Sequence, residues 1–170
     1  MNRANLAENI NSGEAPSLDM GLLADFLGPR VRTLWNTLSA RMAEALAPFG
    51  LRAGAFSALA LISANPGCSQ SEIAQGLGMD KSAVVAIVDE LETKGLARRA
   101  RQTVDRRRHA LKLTPKGTAL LKKMHDPAYY ASQPIRDSFS PRDYELLLSL
   151  LDRACFILAQ AEQVNLDKAS

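Results

Sequence analysis

The residues in this sequence that are best suited to chemistry are cations clustered between residues 95 and 113. Seven cations against one acid, Asp105, give this segment a charge of +6, whereas the whole chain of 170 residues carries +3. The cations are Arg98, Arg99, Arg101, Arg106, Arg107, Arg108 and Lys112. Charge concentrated in one segment is typical of a surface that binds phosphate groups. By itself, such a run is more often a solvated basic hairpin, so the preceding elements decide between the two interpretations.

Two short helices are predicted immediately before the cationic segment. Ser69 is a favourable helix N-cap, and Glu72 three residues later completes a capping box, so the first helix begins there. Gly76 and Gly78 interrupt this helix, and Asp80 offers an N-cap for a second one. The spacing therefore predicts two helices joined by a glycine-containing turn.

Apolar residues on both helices recur at spacings of three and four, which predicts one buried face on each. These residues are Ile73, Ala74 and Leu77 on the first helix and Val84, Ile87, Val88 and Leu91 on the second. The opposite face of the second helix carries Lys81, Ser82, Val85, Ala86 and Asp89. Lys94-Gly95 ends this helix, and Leu111 and Leu113 alternate with polar residues as in a return strand. Two helices followed by a basic hairpin are the layout of a winged helix-turn-helix, which binds duplex DNA.

Further helices are predicted on the N-terminal side of this unit. A heptad-like apolar seam indicates a helix that begins near Pro29 or somewhat earlier. The seam consists of Val31, Trp35, Leu38, Met42, Ala45 and Phe49. Either a shorter helix from Leu18 to Leu27 precedes it, or Pro29 lies inside one kinked helix. A buried helix from Ala53 to Ala64 follows and ends at the turn Asn65-Pro66-Gly67.

Helices are also predicted after the cationic hairpin. Thr114 is the N-cap of a helix with Pro115 at its first position. Ala119, Leu120 and Met124 continue its apolar period. Pro127 is expected to end this helix, and residues 128–139 are expected to form a loop or a short helical turn.

A last helix, which begins at Ser140 and Pro141, is apolar around more than half of its circumference. A helix this apolar exceeds what one small core covers, so we expect it to pack against the same helix of a second subunit. The expected dimer contacts are Tyr144, Leu147, Leu148, Leu151, Cys155 and Leu158. The alternative is a helix that is buried wholly within one subunit.

Composition excludes several classes of function. The sequence contains no glycine-rich phosphate loop, no nucleophile elbow and only two histidines, so an enzyme is not expected. Cys68 and Cys155 lie far apart without a partner cluster, which favours reduced thiols over a metal site or a disulfide framework. No cofactor is expected. The absence of a secretory signal and of a membrane-spanning apolar run predicts a cytoplasmic protein without a membrane partner.

Three motifs in a fixed order resemble the signatures of the MarR family of bacterial transcription factors. They are Leu91-Glu92-Thr93-Lys94-Gly95-Leu96, Asp105-Arg106-Arg107 and Leu113-Thr114-Pro115-Lys116-Gly117. The resemblance covers roughly residues 20 to 160. It implies a homodimer that binds double-stranded DNA at a pseudo-palindromic operator, usually as a repressor that a small ligand releases.

The resemblance also implies which residues contact DNA. The second helix of the unit would enter the major groove and Arg107 the minor groove, while Asp105 would support the wing. The expected DNA-binding set is Ser69, Gln70, Lys81, Ser82, Ala83, Val85, Ala86, Arg101, Asp105, Arg106 and Arg107. Lys81 and Ser82 offer hydrogen-bond donors to bases, while Ala83 and Val85 suit thymine methyl groups. We therefore expect operator positions rich in A and T.

In relatives of this family the effector, often a small aromatic compound, lies between the dimerisation helices and the DNA-binding lobe. The residues available here are Arg30, Arg32, Trp35, Ser39, Phe56 and His125. An arginine beside an aromatic wall suits an aromatic carboxylate, with which a guanidinium pairs through two hydrogen bonds. The expected effector is a phenolic compound or an aromatic acid, with a thioester of such an acid as a further candidate. A lone tryptophan on a heptad seam such as Trp35 is more often a core residue than part of a pocket, and His125 is equally expected at an exposed helix end.

Two alternative functions stay open at the level of sequence. Cys68 precedes a helix N-cap, and a lowered pKa there would suit an oxidation-sensing repressor, although an inert thiol is the simpler interpretation. A winged fold also serves some protein-interaction modules that do not bind DNA. The predicted organisation is a disordered tail (1–17), an N-terminal dimerisation and ligand region (18–50), a winged helix-turn-helix (51–114) and C-terminal dimerisation helices (115–170).

Overall fold

The computed structural model describes residues 19–101 and 109–169. A short 3-10 helix, Gly21–Asp25, precedes the α-helices. These are α1 (Leu27–Leu46), α2 (Ala55–Ala64), α3 (Gln70–Leu77), α4 (Lys81–Thr93), α5 (Pro115–Ala131), α6 (Gln133–Ser138) and α7 (Pro141–Ala169). Strands β1 (Ala97–Arg101) and β2 (His109–Leu113) pair antiparallel. The predicted fold class, mainly α with a small antiparallel β-wing, is confirmed. The predicted tail, residues 1–17, lies outside the described residues.

The chain divides after Asn36 into two compact units. The N-terminal unit contains the 3-10 helix and the first half of α1. Pro29 is the third residue of α1, in the first turn, where a helix leaves backbone N–H groups without intrahelical partners. Pro29 therefore costs no hydrogen bond there. A shorter helix does precede α1, but it is the 3-10 helix Gly21–Asp25 and not a helix from Leu18 to Leu27 that ends at Pro29.

The core of the second unit lies among α2, α3, α4, β2 and α5. Its largest fully buried side chains are Leu59, Ile62, Ile73, Ile87, Leu91, Leu111, Met124, Val84 and Val88. All four residues of the predicted stripe on α4 are at most 1% exposed. The apolar face predicted for this helix is confirmed, and its opposite face is consequently turned towards solvent.

Local hydrogen bonds fix the starts of α3, α4 and α5, as the sequence predicts. The Ser69 backbone N–H donates to Glu72 Oε2 at 2.7 Å, and the Glu72 N–H donates to Ser69 Oγ at 3.2 Å, which completes the capping box. Asp80 Oδ1 accepts from the Ser82 N–H at 2.7 Å and caps α4. Thr114 Oγ1 accepts from the Gly117 N–H at 3.0 Å and caps α5. The starts of α3 and α4, the two helices of the winged helix-turn-helix, are thus set by residues close to them in sequence.

The base of the wing is held by backbone contacts on both sides of β2. The Leu111 N–H donates to Cys68 O and the Gly67 N–H donates to Leu111 O, both at 2.8 Å, on the edge that β1 does not occupy. On the other side, the Thr114 N–H donates to Leu96 O at 3.0 Å. A Cβ atom on Gly117 would lie 1.9 Å from that same Leu96 oxygen, so only glycine fits at this position of α5.

The prediction that Pro127 ends its helix is wrong, because α5 continues to Ala131. A proline inside a helix removes one backbone hydrogen bond and costs about 3 kcal/mol or more. Burial beyond the proline offsets this cost: Ala128 and Ala131 pack inside the protein. Arg41 Nε also donates to Ala131 O at 2.7 Å and satisfies a carbonyl at the helix end. Of the expected apolar period on α5, Ala119 is exposed.

The stretch after Pro127 is mostly helical, which corrects part of the sequence interpretation. Residues 128–131 belong to α5, and α6 forms the short helical turn that was one of the two alternatives. Ser140 Oγ then accepts from the Asp143 N–H at 3.1 Å at the start of α7, as predicted. Within the described part of the chain, no helix is long and apolar enough to span a membrane.

Candidate nucleic-acid interface and effector groove

The exposed face of α4 carries the residues that the sequence assigns to the DNA major groove. Lys81, Ser82 and Val85 are exposed, and the Val85 side chain leaves 41% of its surface in solvent. Ala83 and Ala86 are half-buried beside them. Because the other face of α4 is anchored in the core, this helix presents a fixed row of one cation, one hydroxyl and small apolar groups.

The first turn of α4 contains a hydrogen bond that changes the role expected for Ser82. The Ser82 hydroxyl donates to Asp80 Oδ1 at 2.6 Å, and the Ser82 amide donates to the same oxygen. These bonds, first the hydroxyl and then the amide, hold the pKa of Asp80 below its usual value, so this group is a carboxylate. Ser82 therefore presents an acceptor oxygen rather than the donor that the sequence suggests, and Lys81 stays the donor on this turn.

Ser69 and Gln70 lie at the N-terminus of α3 and are half-buried. The Ser69 hydroxyl donates to Glu72 Oε2 at 2.8 Å, so its main role in this arrangement is structural. Gln70 differs, because its side-chain Nε2 is buried without a hydrogen-bond partner within the described part of the chain. A buried donor without a partner costs free energy, and because Nε2 is closed off from solvent, no outside group contacts it in this conformation.

Arg99 forms ion pairs within the protein, which corrects its interpretation as a phosphate-binding cation. Its Nη1 lies 2.5 Å from Glu92 Oε2 and its Nη2 lies 2.7 Å from Asp89 Oδ1. The Arg99 backbone N–H also donates to Glu92 Oε1 at 2.8 Å. Arg99 thus connects β1 to α4 and fixes the position of the wing relative to that helix.

Two other cations of the hairpin face solvent together. Arg98 and Lys112 are opposite each other in the antiparallel register, and both are exposed. Like charges directly opposite on adjacent strands destabilise a sheet, so this pair is costly unless an anion lies against it. The Arg101 side chain and residues Asp105, Arg106 and Arg107 lie outside the described residues.

An open groove of about 480 Å³ lies between α2 and α5. It is lined by Phe56, Ala60, Ser63, Ala64, Leu121, Lys122 and His125. The structure therefore brings together Phe56 and His125, two of the residues that the sequence assigns to the effector. Lys122 was not anticipated, although its spacing of three from His125 on α5 places the two on the same helix face.

The other residues assigned to the effector lie on α1. Ser39 is half-buried and does not line the groove of α2 and α5. Arg30, Arg32 and Trp35 belong to the N-terminal unit, where Arg30 Nη1 donates to Phe26 O at 2.8 Å. The Trp35 side chain is 69% exposed, so its interpretation as a core residue of one subunit is wrong.

The two thiols have different surroundings. Burial raises the pKa of the Cys68 thiol, and the nearby charge of Glu72 raises it further. A raised pKa lowers the fraction of reactive thiolate. An oxidation sensor at Cys68 requires a lowered pKa, so the structure contradicts that alternative. Cys155 is exposed on α7.

Comparison with known proteins agrees with this geometry. Residues 49–108 match the MarR family. A solved transcriptional repressor, CouR bound to a 23-mer DNA duplex, is 35% identical to this chain with a TM-score of 0.71. The alignment covers 82% of this chain and 99% of that repressor. The chain belongs to the MarR family.

Other relatives of this MarR protein are also regulators. A putative transcriptional regulatory protein for the hcr operon of Thauera aromatica is 35% identical over 104 residues, which cover 61% of this chain and 63% of that relative. CouR from Rhodococcus jostii RHA1, solved with p-coumaroyl-CoA, is 26% identical with a TM-score of 0.70, and covers 79% of this chain and 94% of its own. This MarR-family protein is accordingly a DNA-binding transcriptional regulator and not an enzyme.

Proposed function

We propose that this chain is a repressor that binds a pseudo-palindromic operator as a homodimer and is released by a small aromatic effector. The exposed face of α4 is the single observation that carries the proposal. Lys81, Ser82 and Val85 protrude from a helix whose opposite side is fixed in the core. Such a helix suits the major groove, with Lys81 reaching acceptors and Val85 contacting thymine methyl groups.

Neighbouring elements would hold the DNA backbone. The exposed Arg98 and Lys112 pair in the wing suits phosphate groups. The N-terminus of α3, where Gln70 lies, suits a phosphate oxygen as well, because that end of a helix favours negative charge. Arg99 contributes indirectly by keeping the wing in place against α4.

The homodimer is supported by apolar surface that one chain leaves uncovered on α7. Leu148, Leu151 and Leu158 are all exposed, and Leu158 is 63% exposed. Tyr144 and Leu147 are half-buried, and Cys155 is exposed on the same helix. Contiguous exposed apolar residues of this kind indicate a protein interface. For both subunits to bind one operator, a twofold axis there must set the two α4 helices about 34 to 36 Å apart, the separation of successive major grooves.

Replacing Leu151 by glutamate is expected to convert the dimer into a monomer at micromolar concentration. Two charges would meet across the twofold axis in a place from which water is excluded, which is strongly unfavourable. Size-exclusion chromatography with light scattering measures the mass directly. Arg153→Glu, an exposed charge change two residues away, is the control and is expected to stay dimeric. A native protein that elutes as a monomer would contradict the proposed assembly.

The proposed effector lies in the groove between α2 and α5. The groove between α2 and α5 has an apolar wall that includes Phe56, which suits an aromatic ring. CouR, a relative with the same fold, has been solved with an aromatic thioester, p-coumaroyl-CoA. We infer that an aromatic acid or its thioester binds this chain and lowers its affinity for the operator.

The experiment that tests DNA recognition is selection of duplexes from a random pool, followed by fluorescence anisotropy. We expect the selected duplexes to contain two related half-sites about 10 base pairs apart, centre to centre. With six to ten phosphate contacts per dimer, affinity is expected to fall about a thousandfold or more between 50 and 200 mM salt. Selection of no common sequence, or an affinity independent of salt, would refute the proposal.

A further inference from the structure

The Ser82 hydroxyl lies on the exposed face of α4, and its hydrogen atom is already used within the protein. The hydroxyl donates to Asp80 Oδ1 at 2.6 Å, and the Ser82 backbone N–H donates to the same oxygen at 2.7 Å. We propose that Asp80 makes Ser82 a specificity-determining residue, which accepts a hydrogen bond from the amino group of adenine or cytosine. This inference rests on the proposed function, because it specifies which bases α4 recognises in the major groove.

The hydrogen atom between the two side chains belongs to Ser82. The bond from the Ser82 hydroxyl, and then the bond from its amide, hold the pKa of Asp80 below its usual value, so Asp80 is a carboxylate without a hydrogen to donate. A hydroxyl that donates to a carboxylate keeps its two lone pairs, and the charge that it faces makes its oxygen a stronger acceptor. Ser82 therefore offers only acceptor positions to DNA.

A serine without such a restraint does not distinguish the bases well. Its hydroxyl rotates, so it can donate to one base and accept from another. On each strand of the major groove, adenine and cytosine present an amino group where guanine and thymine present a carbonyl oxygen. An amino group opposite Ser82 Oγ completes a hydrogen bond, whereas a carbonyl oxygen places two acceptors against each other. Asp80 thus turns an ambiguous contact into a choice between two pairs of bases.

The packing of α4 keeps Ser82 in this position. Val84 and Ile87, on the opposite side of the helix, are at most 1% exposed, so α4 cannot rotate about its axis without exposing them. The neighbours of Ser82 on the exposed face have different chemistry. Lys81 is a donor for base acceptors, and Val85 suits thymine methyl groups. Among these three side chains, Ser82 is the one that suits an amino group.

Base substitution in the selected operator tests the inference on the native full-length protein. All four base pairs are placed in turn at each position of both half-sites, and fluorescence anisotropy measures affinity. We expect one position per half-site at which adenine and cytosine, on the same strand, both bind better than guanine and thymine. The difference should be about 25-fold or more, because one hydrogen bond changes affinity about fivefold at each half-site.

Ser82→Ala is expected to remove this preference by weakening binding to the adenine and cytosine duplexes. The preference at every other position should stay as in the native protein. Ser138→Ala is the matched control, because it removes an exposed hydroxyl from α6, and it should keep the native preference. Thermal unfolding checks that both variants fold.

Asp80→Gly tests the role of the carboxylate from the opposite direction. Glycine costs only a few tenths of the stability unit that separates good from poor N-caps, so α4 should keep its start. The freed hydroxyl can then donate, so the guanine and thymine duplexes should gain most and the preference should fall below about threefold. Loss of a negative charge raises affinity for all duplexes alike, so the ratio between base pairs is the measurement. A purely structural role of Asp80 would leave that ratio unchanged.

Three outcomes would overturn the inference. They are a native protein without such a position, Ser82→Ala with the native preference, and Asp80→Gly with the native preference. If any of them occurs while the native protein still binds its selected operator, the inference fails and the proposed DNA recognition stands. Failure to select any duplex would instead refute the proposed function.

Discussion

Replacing Gly117 by alanine is expected to lower the free energy of unfolding by about 3 kcal/mol and the melting temperature by about 6 to 12 °C. The added Cβ would lie 1.9 Å from the Leu96 carbonyl oxygen, where no two such atoms fit. Leu96 cannot easily move aside, because its oxygen accepts hydrogen bonds from the Thr114 backbone at 3.0 Å and the Thr114 hydroxyl at 3.2 Å. The clash must therefore displace α5 from the base of the wing.

Thermal unfolding at one fixed protein concentration measures this effect, since dimerisation makes the melting temperature depend on concentration. The matched control is Gly76→Ala on α3. There the added Cβ would lie 3.3 Å from the end of the flexible Leu61 side chain, and the gain in helix propensity opposes that contact. We expect the control to change stability by less than about 1 kcal/mol. Equal melting temperatures for the two variants would show that Gly117 has no special packing role.

The elements that sequence predicted correctly are those whose boundaries depend on nearby residues. Ser69, Asp80 and Thr114 each cap a helix through hydrogen bonds to residues two or three positions away. Such bonds follow from the local sequence alone. The stripe of Val84, Ile87, Val88 and Leu91 was equally evident, because a period near 3.6 identifies the buried face of a helix.

The errors arose where a distant contact outweighs the local preference. Pro127 breaks helices by itself, but Ala128 and Ala131 are buried and Arg41, 90 residues away in sequence, binds the Ala131 carbonyl. No pattern near Pro127 contains that information. Tertiary packing therefore decided the length of α5.

In the candidate site, too, sequence predicted the residue types correctly but not their hydrogen-bond and ion-pair partners. The excess of cations in the wing could be counted from sequence, but Arg99 forms ion pairs with Asp89 and Glu92, ten and seven residues before it. Likewise, the Ser82 hydroxyl was expected as a donor to DNA, and only the structure shows that it donates to Asp80. Residue type thus predicts where charge lies, whereas hydrogen-bond partners decide which groups are available to DNA.

Replacing Val85 by glutamate is expected to weaken operator binding about a hundredfold or more while leaving the fold intact. Val85 protrudes from the middle of the exposed face of α4, so a carboxylate there would face the acceptor-rich edges of the bases and the phosphates. A loss of at least about 1.4 kcal/mol at one half-site lowers affinity tenfold, and the same loss at both half-sites lowers it a hundredfold. Glutamate is at least as good a helix former as valine, so stability should change little.

Ala119→Glu is the matched control, because it adds the same charge at an exposed position of α5. Fluorescence anisotropy with the selected operator compares the two variants, and thermal unfolding confirms that each is folded. The control is expected to weaken binding less than about threefold, since a charge farther from the duplex is largely screened at physiological salt. If both variants bind the operator equally well, α4 does not contact the bases through this face, and the placement of α4 in the major groove must be abandoned.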